Sequence, residues 1–368
     1  MKLVISVDVE EEGLFSGTYT RRPPGVENVR RLNRLEFITR ELGLPLTLLA
    51  TYPVVRDPSC RDILMAWRDG YLAEIGAHLH PWNTPPFQDL PFAEPVASDL
   101  LPALLVREKL VTLRAAFYEH MGARPLVFRM GRFDLGRQVA ALLPELGFRV
   151  DSSVVPLRRA AGGPDHFLAP SDPYLLNPPG CLGTERLSAN GPETWLRRTA
   201  MPGALAQRMT DDRNKPVSLQ ARGLLLEVPL TQVGVFPVSP KAIYRLASKM
   251  RRKRCDFLLS AFRHVAVAGI QPAWFPLASM KLATRLHRRR GGKVLTMFLH
   301  SSELDPGATP SFRTEAAVNR LVAKIRSYLT WLLRTEQVRG VTLSGLYDSL
   351  SPCDLPIPHL RSCDLRSI

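Results

Sequence analysis

An α/β fold with a parallel sheet is what this sequence predicts, on two observations. Short apolar runs bounded by turn residues alternate with stretches of helical periodicity along most of the 368 residues, the pattern of strands that cross over through helices. The strand-like runs also end on polar and charged side chains, and in parallel α/β folds chemistry gathers at the carboxyl ends of the strands.

Residues 3–8 open the chain as a buried strand, followed by an acidic loop through Pro24. Between 26 and 42, Val26, Val29, Leu32, Leu35, Ile38 and Leu42 fall close to helical spacing, with Gly43 as a stop. Residues 46–52 read as a second strand ending at Pro53, and Arg61 to Arg68 as a short helix. Glu74 to His80 is a third strand, cut off by Pro81 and a Pro-rich loop to Pro95. A long helix is expected at about 99–121, then a strand at 126–128 running into Arg129. A helix from Leu135 to Leu146 and a short strand at 148–150 ending in Asp151 follow. From 156 to 222 the pattern lapses into Pro, Gly and Arg, with a helix expected at 192–207. This stretch reads as an elaborated loop region near the site rather than a second domain. Strands return at 224–229 and at 294–299, the latter delivering His300, before a helix at 314–335 and a last strand at 341–343. One domain over 1–350 and an irregular tail at 351–368 are expected.

A hydrophobic content of 45% and a charged content of 23% are those of a soluble globular protein. The net charge of +15 comes from 49 basic residues, 40 Arg and 9 Lys. Such skew follows from codon bias, or from an anionic partner such as a phosphate-bearing substrate or a lipid surface. Aromatic residues are not interleaved with the basic runs, so no nucleic acid is expected. The clusters Arg251-Arg252-Lys253-Arg254 and Arg288-Arg289-Arg290 are either solvated faces or a place to dock on an anionic membrane. The first apolar run is too short for a signal peptide, and no window is long and apolar enough to span a bilayer. Five cysteines, an odd number without a CxxC, argue against a zinc ribbon or a disulfide framework and fit a reducing cytoplasm.

The strand ends carry the chemistry. Residues i and i+2 of a strand share a face, so His78 and His80 can converge on one point, as two imidazole ligands of a divalent metal do. The alternative is one packed core histidine and one at a turn. Asp8 and Glu10 leave the first strand with the same period; one suits a metal and the other a general base beside a bound water, or both belong to a solvated acidic loop that Glu11 and Glu12 continue. Arg129 can hold a catalytic carboxylate ionised, bind a phosphate, or form a structural ion pair. Asp151 can fix Arg129 or a histidine, and His300 can act as a general acid or be an ordinary buried histidine.

The order Asp8-x-Glu10, Glu74-Ile75-Gly76-x-His78, Phe128-Arg129-x-Gly131-Arg132, Asp151-Ser152-Ser153, Glu227-Val228-Pro229 and Leu299-His300-Ser301-Ser302 resembles the polysaccharide deacetylase superfamily, over roughly residues 3–310. The likeness is to the members found beside glycosyltransferases. The resemblance implies a distorted, incomplete (β/α) barrel, TIM-like and of about seven strands. It also implies removal of N- or O-acetyl groups from sugars with a divalent ion, zinc first and cobalt, manganese or nickel also suitable. Residue by residue it makes Asp8 the catalytic base, Glu10 an acidic metal ligand and His78 the first metal histidine. Arg129 orients the base, Asp151 is its supporting carboxylate, and His300 is the acid. Two departures stand out. Val9 separates Asp8 from Glu10 where the family commonly has adjacent aspartates, and Trp82 stands where the second metal histidine is usual, so that His80 must substitute.

The expected function is therefore a cytoplasmic, metal-dependent N-deacetylase acting on an amino sugar carried on a nucleotide, a lipid or a glycoside. Two alternatives stay open: hydrolysis of another carbon–nitrogen bond, as in a ureide or cyclic imide, and a degenerate barrel that binds glycans without turnover.

Overall fold

The alternation of side chains along the first strand sets the architecture. In β1 (Lys2–Val9), Leu3, Ile5, Val7 and Val9 belong to the large apolar layer beneath the helices. Val4, Ser6 and Asp8 occupy the opposite, inner face, where Val4 joins a second apolar cluster and Ser6 and Asp8 are buried. The same inside–outside code runs through β2 (Leu46–Ala50), β3 (Ala73–Leu79), β4 (Val127–Met130) and β10 (Val294–His300). A sheet buried on both faces is what an all-parallel arrangement requires.

The computed structural model describes residues 1–17, 19–22, 24–159, 163–176, 225–236 and 239–350. Within these, β5 is Val150–Asp151, β6 Tyr174–Leu176 and β7 Leu225–Glu227. The strand order is β10-β1-β2-β3-β4-β5-β7-β6. The seven strands from β10 to β7 are mutually parallel, and β6 adds an antiparallel edge. A short β11 (Arg339–Gly340) pairs with the start of β1. The sheet curls into a half-barrel, as expected for the incomplete (β/α) barrel. Across the seam Thr231 accepts from the Thr296 amide (2.8 Å) and its own amide donates to the Thr296 carbonyl (3.1 Å). Asp172 takes the amides of Lys293 and Val294 (3.0 and 2.8 Å).

The amino end of the barrel is closed by apolar packing. Helix Leu343–Asp348 places Leu343 and Leu346 against Val4, Leu49, Val127, Val150 and Leu226. Glu74, at the start of the histidine strand, accepts from the Ser344 amide (3.1 Å) and so caps this helix. Gly76 passes so close to Val127 and Leu49 that a Cβ would collide with both. Two residues of the Glu-Ile-Gly-x-His motif therefore serve the plug, and His78 alone of the motif reaches the carboxyl-end cluster.

Several elements differ from expectation. Residues 27–35 form a 3-10 helix, with a short α-helix at Glu36–Arg40, instead of one α-helix over 26–42. The apolar residues at 26, 29, 32, 35 and 38 recur every three positions, which is the period of a 3-10 turn. Tyr52 does not end a strand but opens the helix Tyr52–Arg56, with Pro53 in its first turn, where a missing N–H costs nothing. The helix expected at 61–68 spans Pro58–Gly70 with Asp57 as its cap (2.9 Å to the Cys60 amide). Val341 to Leu343 is not a strand: Thr342 caps the plug helix instead. The antiparallel pair β8 (Gln232–Gly234) and β9 (Val267–Gly269), with helices α6 (Ser239–Ala247) and α7 (Arg252–Ala266) between them, has no counterpart in the sequence reading. The helix expected at 192–207 and the tail at 351–368 lie outside the described residues.

Candidate metal centre and catalytic residues

Glu10, His78 and His80 meet at the carboxyl end of the barrel, all buried, with one donor atom from each within 4.8 Å of the others. Glu10 Oε2 lies 3.6 Å from His78 Nε2 and 3.6 Å from His80 Nε2. Donors of a tetrahedral zinc site, at bonds of about 2.0–2.1 Å, stand roughly 3.3 Å apart, close to the two separations measured from Glu10.

The outer nitrogens explain why the inner ones are free. His78 Nδ1 donates to the Arg129 carbonyl (3.1 Å), and His80 Nδ1 to Glu11 Oε1 (2.7 Å). Each imidazole is thereby fixed in the tautomer whose Nε2 lone pair faces Glu10, the arrangement by which supporting groups orient ligating histidines. Burial alone would raise the Glu11 carboxyl, but His80 outweighs it and holds Glu11 at about 2. Trp82 Nε1 (3.2 Å) and Asn83 Nδ2 also donate to Glu11 Oε1. Trp82, at the position where a histidine is usual, stacks on His80 with ring centroids 4.3 Å apart. Gly131 faces the His80 ring so closely that any Cβ would strike it. The chemistry of the donor set, two neutral imidazoles and a carboxylate, fits zinc, cobalt, manganese or nickel alike. His80 on its own is raised: burial opposes its proton, and Glu11, Glu10 and Asp8 favour it. A cation and a proton therefore compete for this imidazole.

Asp8 stands beside this triad on the same face of β1. Burial opposes its charge, but Arg129 first, then His78 and His300, outweigh that and hold its pKa below the ordinary value. The Arg129 guanidinium is fully buried and committed: Nη1 to Asp8 Oδ1 (2.5 Å), Nε to the Ser152 carbonyl (2.7 Å), and Nη2 to Ser6 Oγ and Ser152 Oγ (both 2.9 Å). Phe133 and Phe298 flank it at 5.4 and 5.5 Å. Asp151, expected to support Arg129, is not hydrogen-bonded to it. Its oxygens accept from Ser153 N (3.0 Å) and Ser153 Oγ (2.6 Å). Strand alternation accounts for this, because Ser152, one residue on, is the side chain delivered to the guanidinium. Asp151 instead faces Glu227 across the β5–β7 pairing. Burial raises both carboxyls, Glu227 far above its ordinary value, where the neighbouring Asp151 charge adds to the burial.

His300 is opposite Asp8 in the β1–β10 register. Its Nδ1 bonds Glu303 Oε1 (2.9 Å) while its amide donates to Glu303 Oε2 (3.2 Å). Burial lowers the His300 pKa, but Glu10, Glu303 and Asp8 overcome it and bring the group to about 10. Phe15, from the loop after β1, lies edge-on to this ring at 5.2 Å. The 3-10 segment joins the two sides: Asn28 Nδ2 donates to the Glu10 carbonyl (3.0 Å) and to Ser301 Oγ (3.2 Å), and the Glu10 amide donates to Ser301 Oγ (3.2 Å). The structure thus brings together Asp8, Glu10, His78, His80, Arg129 and His300. Glu11, Glu303, Glu227 and Asn28 are the members that sequence reasoning passed over. Only the Glu303 spacing, three residues after His300 at a strand exit, offered a local signal.

No protein-family model matches the chain, and no curated protein matches it in sequence. Solved structures do match in fold. One, from Mycobacterium smegmatis, is described as a polysaccharide deacetylase: it is 16% identical with a TM-score of 0.51, over 96% of this chain and 91% of that one. Another, from Parabacteroides distasonis and described as a glycoside hydrolase/deacetylase, is 11% identical with a TM-score of 0.52, over 94% of this chain and 70% of that one. The fold is that of the polysaccharide deacetylases. On this barrel, the carboxyl-end cluster occupies the place where parallel α/β barrels assemble their chemistry.

Proposed function

We propose that this chain is a metal-dependent hydrolase that removes an N-acetyl group from an amino sugar. The observation that carries the reading is the convergence of Glu10, His78 and His80 between an ionised carboxylate, Asp8, and a protonated imidazole, His300. A divalent ion held by the triad supplies Lewis acidity and a water of lowered pKa. Asp8, kept charged by Arg129, accepts the proton of the attacking water. The Glu303 carboxylate holds His300 by Nδ1, which leaves Nε2–H to donate to the departing amine. Phe15, 38% exposed and edge-on to His300, suits the apolar face of a pyranose ring.

Incubation of the purified full chain with zinc or cobalt and a panel of free, nucleotide-linked and lipid-linked N-acetylhexosamines tests this. Acetate release, lost in Asp8→Asn, is the expected result. Turnover of ureides or cyclic imides without acetate release from any sugar replaces it with the alternative hydrolase, and no turnover at all with the degenerate barrel.

A membrane-proximal location belongs to the same proposal. Helices α6 and α7 and the turn between them carry Lys241, Arg245, Lys249 and the run Arg251 to Arg254 beside Leu246, Phe257 and Val265, which are 51%, 76% and 85% exposed. That pairing suits an anionic lipid surface. Among the described residues no helix is long and apolar enough to cross a membrane. Co-sedimentation with phosphatidylglycerol vesicles but not phosphatidylcholine vesicles is expected, and cell fractionation checks the cytoplasmic side of the expectation.

A further inference from the structure

Three guanidinium groups, Arg132, Arg158 and Arg263, gather at the edge of the proposed active site, and among the described residues none of them has a carboxylate within ion-pair distance. Arg132 lies in a left-handed backbone conformation (φ 59°), directly followed by Phe133 at φ 58°. Side chains of this kind adopt such angles only when the surroundings impose them. Arg158 Nη1 donates to the Arg132 carbonyl (3.2 Å), which ties the two segments together. Each arginine rests on an aromatic ring: Arg132 over Tyr19 (5.9 Å), Arg158 over Phe133 (5.9 Å) and Arg263 over Trp274 (5.5 Å). These rings lead back to the candidate centre. Tyr19 meets Trp82, which stacks on His80. Phe133 and Trp274 touch one another (6.2 Å) and both pack on Phe298, which meets His300.

The neighbouring Arg159 shows what an ordinary arginine does here: it faces Asp165 (3.7 Å) and Asp256 (3.4 Å). Arg158 has no such partner among the described residues. Burial, and then the charges of Arg263 and Arg132, bring its pKa down to about 10, with Asp134 a weaker opposing influence. Burial likewise lowers Arg263. Like charges held together on aromatic faces are a standing cost that an anion removes, and planar guanidinium forks match phosphoryl oxygens in pairs.

We propose that Arg132, Arg158 and Arg263 form a subsite for a phosphoryl group, a diphosphate or phosphodiester carried by the sugar whose acetyl group enters the centre beside His80 and His300. The proposal rests on the deacetylase reading for the sugar, but the anion site itself does not. A nucleotide-linked and a lipid-linked sugar present the same diphosphate.

Isothermal titration of the full chain, freed of divalent ions by chelation, with inorganic pyrophosphate isolates the subsite from turnover. Binding by the wild type is expected, weakened about tenfold or more in Arg263→Gln, the loss of roughly one charged hydrogen bond, and unchanged in His78→Ala. Arg263 is partly exposed on α7, so this variant is not expected to disturb the core; Arg158→Gln is the second variant, with its fold checked by circular dichroism. No binding by the wild type, or equal binding by folded Arg263→Gln and Arg158→Gln, overturns the subsite whatever the enzyme's activity. In turnover, the subsite raises KM of Arg263→Gln for UDP-N-acetylglucosamine or prenyl-diphosphate-linked N-acetylglucosamine, with kcat little changed. Of those two, the substrate whose KM responds identifies the carrier. An equal effect on unphosphorylated N-acetylglucosamine oligomers contradicts the proposal, whereas pyrophosphate binding without deacetylation sinks only the deacetylase reading.

Discussion

Glu11 decides which nitrogen of His80 faces the candidate metal site, because its carboxylate accepts a hydrogen bond from Nδ1 at 2.7 Å and is itself held by Trp82 and Asn83. Glu11→Ala is expected to weaken zinc affinity about 10–100-fold, the usual loss when a supporting carboxylate is removed, in a competition titration with a chromogenic chelator. His78 and His80 are legible in the sequence since strand alternation puts i and i+2 on one face. Glu11 is not, because Glu10, Glu11 and Glu12 form one acidic run and nothing local says that the middle one turns inward. The same limit applies to Asp151, whose motif suggests a partner for Arg129 while the backbone delivers Ser152. His300 gives a pH test on the ion-free chain. Burial lowers its pKa, the carboxylates outweigh this, and the folded value of about 10 lies above the ordinary value of about 6.5. Its stabilising contribution is therefore complete below about pH 6.5 and lost as pH rises from there toward 10. Thermal melts should show the largest deficit of His300→Gln near pH 6 and a shrinking one toward pH 10.

At the scale of elements, the 3-10 segment Glu27–Leu35 is the clasp between the two halves of the centre. Asn28 is fully buried and bridges the Glu10 carbonyl and Ser301. Asn28→Ala leaves buried groups unsatisfied and is expected to cost about 1–3 kcal/mol in urea unfolding, with a parallel loss of metal affinity because Glu10 loses its tether. The period of three in Val26, Val29, Leu32, Leu35 and Ile38 was the available clue to this element, and it differs from an α-helical stripe by too little to separate over twelve residues. The inner strands were easier: runs such as Val294 to Leu299 are apolar on both faces and end on a polar residue. The paired strands β8 and β9 are three residues each, too short to carry a period.

Over the whole molecule, the barrel separates stability from chemistry along its axis. The amino end is filled by Leu343, Leu346 and the inner valines and leucines, while the carboxyl end holds the buried charges. The seam is closed by loop residues, through one backbone bond at Thr231 and several side-chain bonds, rather than by another strand pairing. Thr231→Val removes the acceptor of the buried Thr296 amide and is expected to destabilise by about 1–3 kcal/mol in the same unfolding assay. Metal affinity should not change, in contrast to Asn28→Ala. The parallel α/β sheet followed from the alternation of elements, and the incomplete barrel of about seven strands from the resemblance. The seam did not, because Thr231, Gln271 and Asp172 come from loops that only the closed sheet brings together.

Metal content of the purified full chain, measured by elemental analysis after zinc loading and desalting, bears most directly on the central claim. One tightly held ion per chain is expected in the wild type, with the ion lost in both His78→Ala and His80→Ala while their melting curves remain cooperative. A folded wild-type chain that retains no ion, or a His80→Ala chain that retains a full equivalent, contradicts the account.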